Sequence, residues 1–106
     1  MIFPKNYEEV AALIQSEQRV VFIFMTNWCG DCHYIQPHLA DIEATFPDTM
    51  FVQLDRDEYM PLAQEWGIFG IPSFVLVENG QEIRRFVDKN RKTKSEIIEF
   101  LKGIEK

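Results

Sequence analysis

A chain of 106 residues and 12.5 kDa has room for one hydrophobic core. Its 46% hydrophobic and 26% charged residues are an ordinary globular balance that excludes wholesale disorder and a fibrous repeat. A net charge of −6 argues against general affinity for nucleic acid, whose phosphates demand a basic surface, and the longest apolar run, residues 20–25, is far too short to cross a bilayer. The N-terminus lacks a basic stretch followed by an apolar segment, so the expectation is one domain, 1–106, of a reducing cytoplasm, with neither nucleic acid nor membrane as partner. Charge is unevenly spread, since residues 1–83 hold 3 basic and 13 acidic side chains whereas residues 84–106 hold 8 and 4.

In chain order, Asn6 with Glu9 makes a capping-box-like start, and Val10, Leu13 and Ile14 supply the apolar stripe of a helix over 7–16. Residues 20–25 are apolar on consecutive positions, as suits a central strand buried on both faces. From Cys29, the spacing of Ile35, Leu39, Ile42 and Phe46 predicts a helix that Pro37 kinks without dividing. A strand over 50–54 follows. Asp57 then caps a short helix that carries Pro61 in its first turn and stops at Gly67. Asn79-Gly80 between 73–77 and 82–87 is a strong hairpin signal, because a type I′ turn needs two residues with positive φ. Thr93 and Glu96 form a second capping box, opening a helix with Ile97, Ile98, Phe100, Leu101 and Ile104 on its apolar face. The order α-β-α-β-α-β-β-α predicts an α/β fold with a mixed sheet of about four strands and helices on both faces.

Two cysteines three positions apart make a site rather than a scaffold. Cys29, in the run Trp28-Cys29-Gly30-Asp31-Cys32, stands where a strand gives way to a helix, and the unpaired N–H groups of a helix start favour a thiolate. Cys32 falls one turn on, more buried, placed to displace a substrate from a mixed disulfide. Taken alone, the pair fits thiol redox chemistry and half of a metal site equally well. A zinc site wants four ligands, and only His33 and His38 remain to supply them, His38 from a different helix face. Cys29 to His33 also satisfies the CxxCH haem-attachment pattern, but an apolar strand directly before it is poor company for a haem crevice. Trp28, Trp66, Met25 and Met60 taken singly read as packing residues.

These residues together resemble the thioredoxin family. The run 28–32, Pro37, the run 66–73 containing Ile71-Pro72, and Asn79-Gly80 occur in the family's order over roughly 20–101. The resemblance implies a thioredoxin-like fold and a thiol-disulfide oxidoreductase that reduces protein disulfides. In it Cys29 is the exposed nucleophile, Cys32 resolves, and Trp28, Gly30 and Asp31 surround the site. The Ile71–Pro72 bond is cis and faces the sulfurs, and the Ile71 backbone can pair with an extended substrate peptide. No bound cofactor or metal is required; electrons come from a donor such as a thioredoxin reductase or a small thiol. The competing expectations are a partner-binding module with little turnover and a CxxC(H) metal-binding protein.

Three departures from the family pattern bear on mechanism. Ile23 stands where thioredoxins carry a buried carboxylate, and Gln53 replaces its lysine neighbour, so the Cys32 proton needs another acceptor. Asp31 replaces the usual proline. A carboxylate at roughly 6 Å disfavours the Cys29 thiolate by about 0.5–2.5 kcal/mol and pushes toward reductase behaviour, which a protonated His33 opposes. Residues 87–92 are longer and more charged than the family's loop, and the basic cluster around them is either a solvated face or a rim that steers acidic partners.

Overall fold

The computed structural model describes residues 1–88 and 90–102. Strand β1 (Arg19–Met25) lies inside a four-stranded sheet of order β2-β1-β3-β4, with β2 (Met50–Asp55) parallel to it and β3 (Ser73–Glu78) antiparallel. From Val20 to Met25 every residue is buried, because both faces are covered. Val21, Ile23 and Met25 point into one half of the core, shared with Ile35, Leu39, Ile42, Ile97 and Leu101. Val20, Phe22 and Phe24 point into the other, with Val10, Leu62, Ala63 and Ile68. Helices α2 (Gly30–Ile35), α3 (Leu39–Thr45) and α5 (Lys94–Lys102) therefore cover one face, and α1 (Tyr7–Ile14) and α4 (Met60–Glu65) the other. The expected α/β layering and four-stranded mixed sheet are both present.

The capping expectations fared unevenly. Asn6 caps α1 through its side-chain oxygen, which accepts the Glu9 N–H at 2.9 Å. Thr93 and Glu96 form the reciprocal box, with Glu96 Oε1 accepting the Thr93 N–H at 2.9 Å and Thr93 Oγ1 accepting the Glu96 N–H at 3.2 Å. Asp57, in contrast, caps nothing. Tyr59 is the residue before α4, and Asp55 Oδ1 accepts the N–H groups of Asp57 and Glu58, leaving the Asp57 carboxylate to other partners. Pro61 does sit in the first turn of α4, and Gly67 ends that segment with φ at +68°. Ile104 lies outside the described residues.

Pro37 does more than kink a helix. It sits in a 3-10 turn, Gln36–His38, that separates α2 from α3. Proline has no N–H to give the carbonyl one turn back and its ring crowds that carbonyl, so the α pattern stops there. The backbone stays right-handed through Ile35, Gln36, His38 and Leu39, and the chain resumes as α3.

Strand β4 (Gln81–Phe86) pairs antiparallel with β3 across Asn79-Gly80, whose φ values of +53° and +77° fit the two-residue turn. A Cβ at Gly80 would meet only Ile14 O, at 3.8 Å. The cost of Gly80→Ala is therefore conformational, about 1–2 kcal/mol for the left-handed backbone, and chemical denaturation should show a lowered midpoint with an unchanged slope.

Candidate active site

The end of β1 and the start of α2 build the site. Cys29 is the residue before α2, with extended backbone, and its sulfur accepts the Cys32 N–H at 3.2 Å. Its thiol also points at the carbonyl oxygen of Ile71, 3.8 Å away. Ile71 belongs to the loop entering β3, and the peptide bond joining it to Pro72 is cis. The structure thus brings Cys29, Cys32, Ile71 and Pro72 together from two separate stretches of chain. Both cysteines are free thiols.

Cys29 is not as open as expected: it is 8% exposed, tucked between the helix start and the Ile71 loop, while Cys32 is 1% exposed. The exposed part of the site is its rim. Trp28, next to Cys29, is 63% exposed, and Gly30 is exposed with nothing within 4 Å of where a Cβ would stand. An apolar, open rim around a recessed sulfur suits an extended peptide laid across it.

Burial pushes the Cys32 thiol up to about 12, assisted by the hydrogen bond with Cys29 and, least of all, by the Asp31 charge; a backbone hydrogen bond at Thr26 opposes the rise. Ile23 is fully buried in register with Gln53 on β2, so neither of these two positions offers Cys32 a carboxylate. A cavity of about 310 Å³ lies beside Cys32, lined also by Thr26, His33, Gln53, Asp55 and Glu58. Cys32 therefore has one side that faces polar groups and open space.

Sequence reasoning missed three contacts of the flanking residues. Trp28 Nε1 donates to Asp57 Oδ2 at 2.8 Å, and the Arg56 guanidinium lies over the same indole at 5.6 Å. The Trp28 indole and then Arg56 hold the Asp57 carboxyl below the usual carboxylate range. In a Trp66→Phe background, Trp28 emission should hold steady as pH falls through 3.8 and change only below it. A transition centred at the ordinary Asp value would contradict this geometry. His33, expected to oppose Asp31, is tied back to the Asn27 carbonyl at 2.6 Å.

Asp31 itself meets Arg91, whose Nε donates to Oδ1 at 2.9 Å. Most described cations of the basic segment are spent likewise: Arg85 on Glu82 and the Trp66 carbonyl, Lys92 on Asp88, Lys94 on Asp41. Arg84 instead lies over the Phe100 ring at 5.3 Å, so four of the five described cations between Arg84 and Lys94 meet a carboxylate of this chain while Arg91 and Lys94 stay 56% and 40% exposed. Lys89 lies outside the described residues. Among the described residues no three His, Cys, Asp or Glu side chains converge as metal ligands, and no helix is long and apolar enough to cross a membrane.

A strand-to-helix cysteine pair facing an X-Pro loop, on this mixed sheet, defines a thiol-disulfide exchange protein. The thioredoxin family model matches residues 2–103. Thioredoxin H-type 1 of Nicotiana tabacum is 33% identical over 85 residues, 80% of this chain and 68% of that protein. Mitochondrial thioredoxin-3 of Saccharomyces cerevisiae is 36% identical over 85 residues, 80% of this chain and 67% of its own. The crystal structure of that yeast protein in its oxidised form superposes with a TM-score of 0.84 at 31% identity, covering 98% of this chain and 95% of the other. The chain belongs to the thioredoxin family and is a thiol-disulfide oxidoreductase acting on protein disulfides.

Proposed function

We propose that residues 1–106 act as one cytoplasmic domain that reduces protein disulfides through a reversible Cys29–Cys32 dithiol/disulfide, with Trp28, Gly30, Asp31, Ile71 and Pro72 forming the substrate surround. The observation that carries the reading is the setting of the Cys29 sulfur, between the Cys32 N–H at 3.2 Å and the Ile71 carbonyl at 3.8 Å. Cys29 as thiolate attacks one sulfur of the substrate disulfide, forming a mixed disulfide and releasing the first substrate thiolate. Cys32 gives up its proton on the cavity side and attacks the Cys29 sulfur. The mixed disulfide breaks, the second substrate thiolate leaves, and the two electrons lost by the cysteine pair have reduced the substrate. The Ile71 backbone pairs with the substrate chain while this happens. A thioredoxin reductase, or two equivalents of a small thiol that end as its disulfide, returns two electrons and two protons.

A redox titration in dithiol buffers tests this, with alkylatable cysteines counted by mass and Trp28 fluorescence followed in parallel. The expected result is one reversible two-electron transition more reducing than about −200 mV. A strongly oxidising midpoint would make the protein a disulfide donor, and a pair that never closes would leave a binding module.

A further inference from the structure

Arg91 stands 60 residues from Asp31 in the chain and reaches it by a 2.9 Å ion-paired hydrogen bond, while its guanidinium lies over the Tyr34 ring at 4.4 Å. Both contacts are on α2, the helix that begins at the cysteine motif. The segment carrying Arg91 is held from below. The Lys92 ammonium is buried and donates to Asp88 Oδ1, to the Asp88 carbonyl and to the Asn90 carbonyl, and Thr93 follows at once as the cap of α5. Arg91 is thus presented to α2 by a fixed neighbour rather than by a free tail.

The position of Asp31 explains what such a partner is for. Every step of thiol-disulfide exchange carries negative charge on sulfur, at Cys29 when it attacks and at Cys32 when it resolves, and Asp31, the residue before Cys32 in the first turn of α2, carries a charge that disfavours such anions. An arginine bonded to that carboxylate spreads a compensating positive charge over the same region. Stacking on Tyr34 keeps the guanidinium plane in place and limits its loss to solvent.

We propose that Arg91 is a positioning residue for the exchange reaction: by pairing with Asp31 it neutralises the carboxylate that precedes Cys32 on α2 and favours the attacking and resolving steps. The proposal rests on the reading that Cys29 attacks and Cys32 resolves. It assigns the loop residue an electrostatic role in turnover and gives Asp31 a state, ion-paired, that its position in the motif does not reveal.

The experiment is a double-mutant cycle read by single-turnover kinetics on a disulfide peptide. Arg91→Gln should slow mixed-disulfide formation and its resolution about three- to tenfold, the effect of one unmatched charge within the motif at a partly solvated site. Asp31→Asn in the Arg91→Gln background should restore both rates to within about twofold of Asp31→Asn alone, because no charge then remains to be matched. Arg91→Lys should recover part of the loss, and added salt should shrink the Arg91→Gln defect, since screening replaces the missing cation. A merely structural loop contact would respond to neither Asp31→Asn nor salt. Equal slowing by Arg91→Gln with Asp31 present or absent overturns the proposal, as does no slowing at all. Cys32→Ser in the otherwise native chain is run alongside: trapped adduct through Cys29 upholds the underlying reading whatever Arg91 does, and its absence removes that reading first.

Discussion

Cys32→Ser should convert the protein from a turnover catalyst into a trap. With disulfide substrate in excess it should release one substrate thiol per chain and then stop, carrying the other half of the substrate on Cys29. Serine keeps the size of the buried side chain and removes the only sulfur placed to attack Cys29 from within. The N–H of residue 32 still donates to the Cys29 sulfur, so the first attack survives. Cys29→Ser should instead lower disulfide reduction by about a thousandfold or more with no adduct, because a hydroxyl near neutral pH offers almost no anion to attack sulfur. Mass spectrometry of the quenched reaction separates the two variants. Adduct on Cys32 in the Cys29→Ser chain would reverse the assigned roles, and no adduct in either would sustain the binding-module reading. The pH dependence of the native resolving step adds a second check. Burial pushes the Cys32 thiol up, and burial persists in the mixed disulfide, so the resolving rate should keep climbing with pH above neutrality rather than level off there.

The parts of this architecture that were legible in the sequence are those decided by neighbours in the chain. Six consecutive apolar residues announced a strand covered on both faces, and β1 is that strand. Asn79-Gly80 and the Thr93/Glu96 box declared themselves because each needs only residues one to three positions apart. The cysteine pair was legible from its own spacing at a strand-to-helix junction, whereas the Ile71–Pro72 loop was joined to it only through a resemblance, since periodicity alone cannot bring residue 71 to residue 29. What stayed hidden was long-range or against type. Asp57 looked like a helix cap by local logic but bonds the Trp28 indole, 29 residues away. Arg91 and Lys92 were adjacent cations of one basic stretch, and nothing local distinguishes the one that reaches Asp31 from the one that is 1% exposed. Buried lysine is rare, so composition places every lysine outside until a tertiary contact says otherwise.

Lys92 supplies the largest stability prediction. Its ammonium lies 5.1 Å from the centre of the Phe86 ring and is ion-paired, among the described residues, with Asp88. Asp88→Ala should lower stability by about 2–3 kcal/mol, less than the ~3–5 kcal/mol of breaking a fully buried pair, because the Asp88 side chain is 38% exposed and water reaches its side of the pair. For a chain of this size the melting temperature should drop by about 10–20 °C. Lys92→Met fills the same volume with no charge to satisfy and should stay within about 1 kcal/mol of the native protein, and Asp88→Ala in that background should cost little more. Burial lifts the Asp88 carboxyl, but the Lys92 ammonium and the Asn90 N–H outweigh it and hold the group below 3.8. Its folded value is thus depressed, so its stabilisation is fully present above 3.8 and is lost as pH falls through the lower folded value; Lys92→Met should flatten that acid limb of the denaturation profile. Because the same segment delivers Arg91 to Asp31, Asp88→Ala should also slow exchange below its own melting range, and Lys92→Met, which removes the bonds to Asp88 and Asn90, should slow it as well. Equal destabilisation by Lys92→Met and Asp88→Ala would mean that the packing of the lysine stem, not its charge, holds the loop.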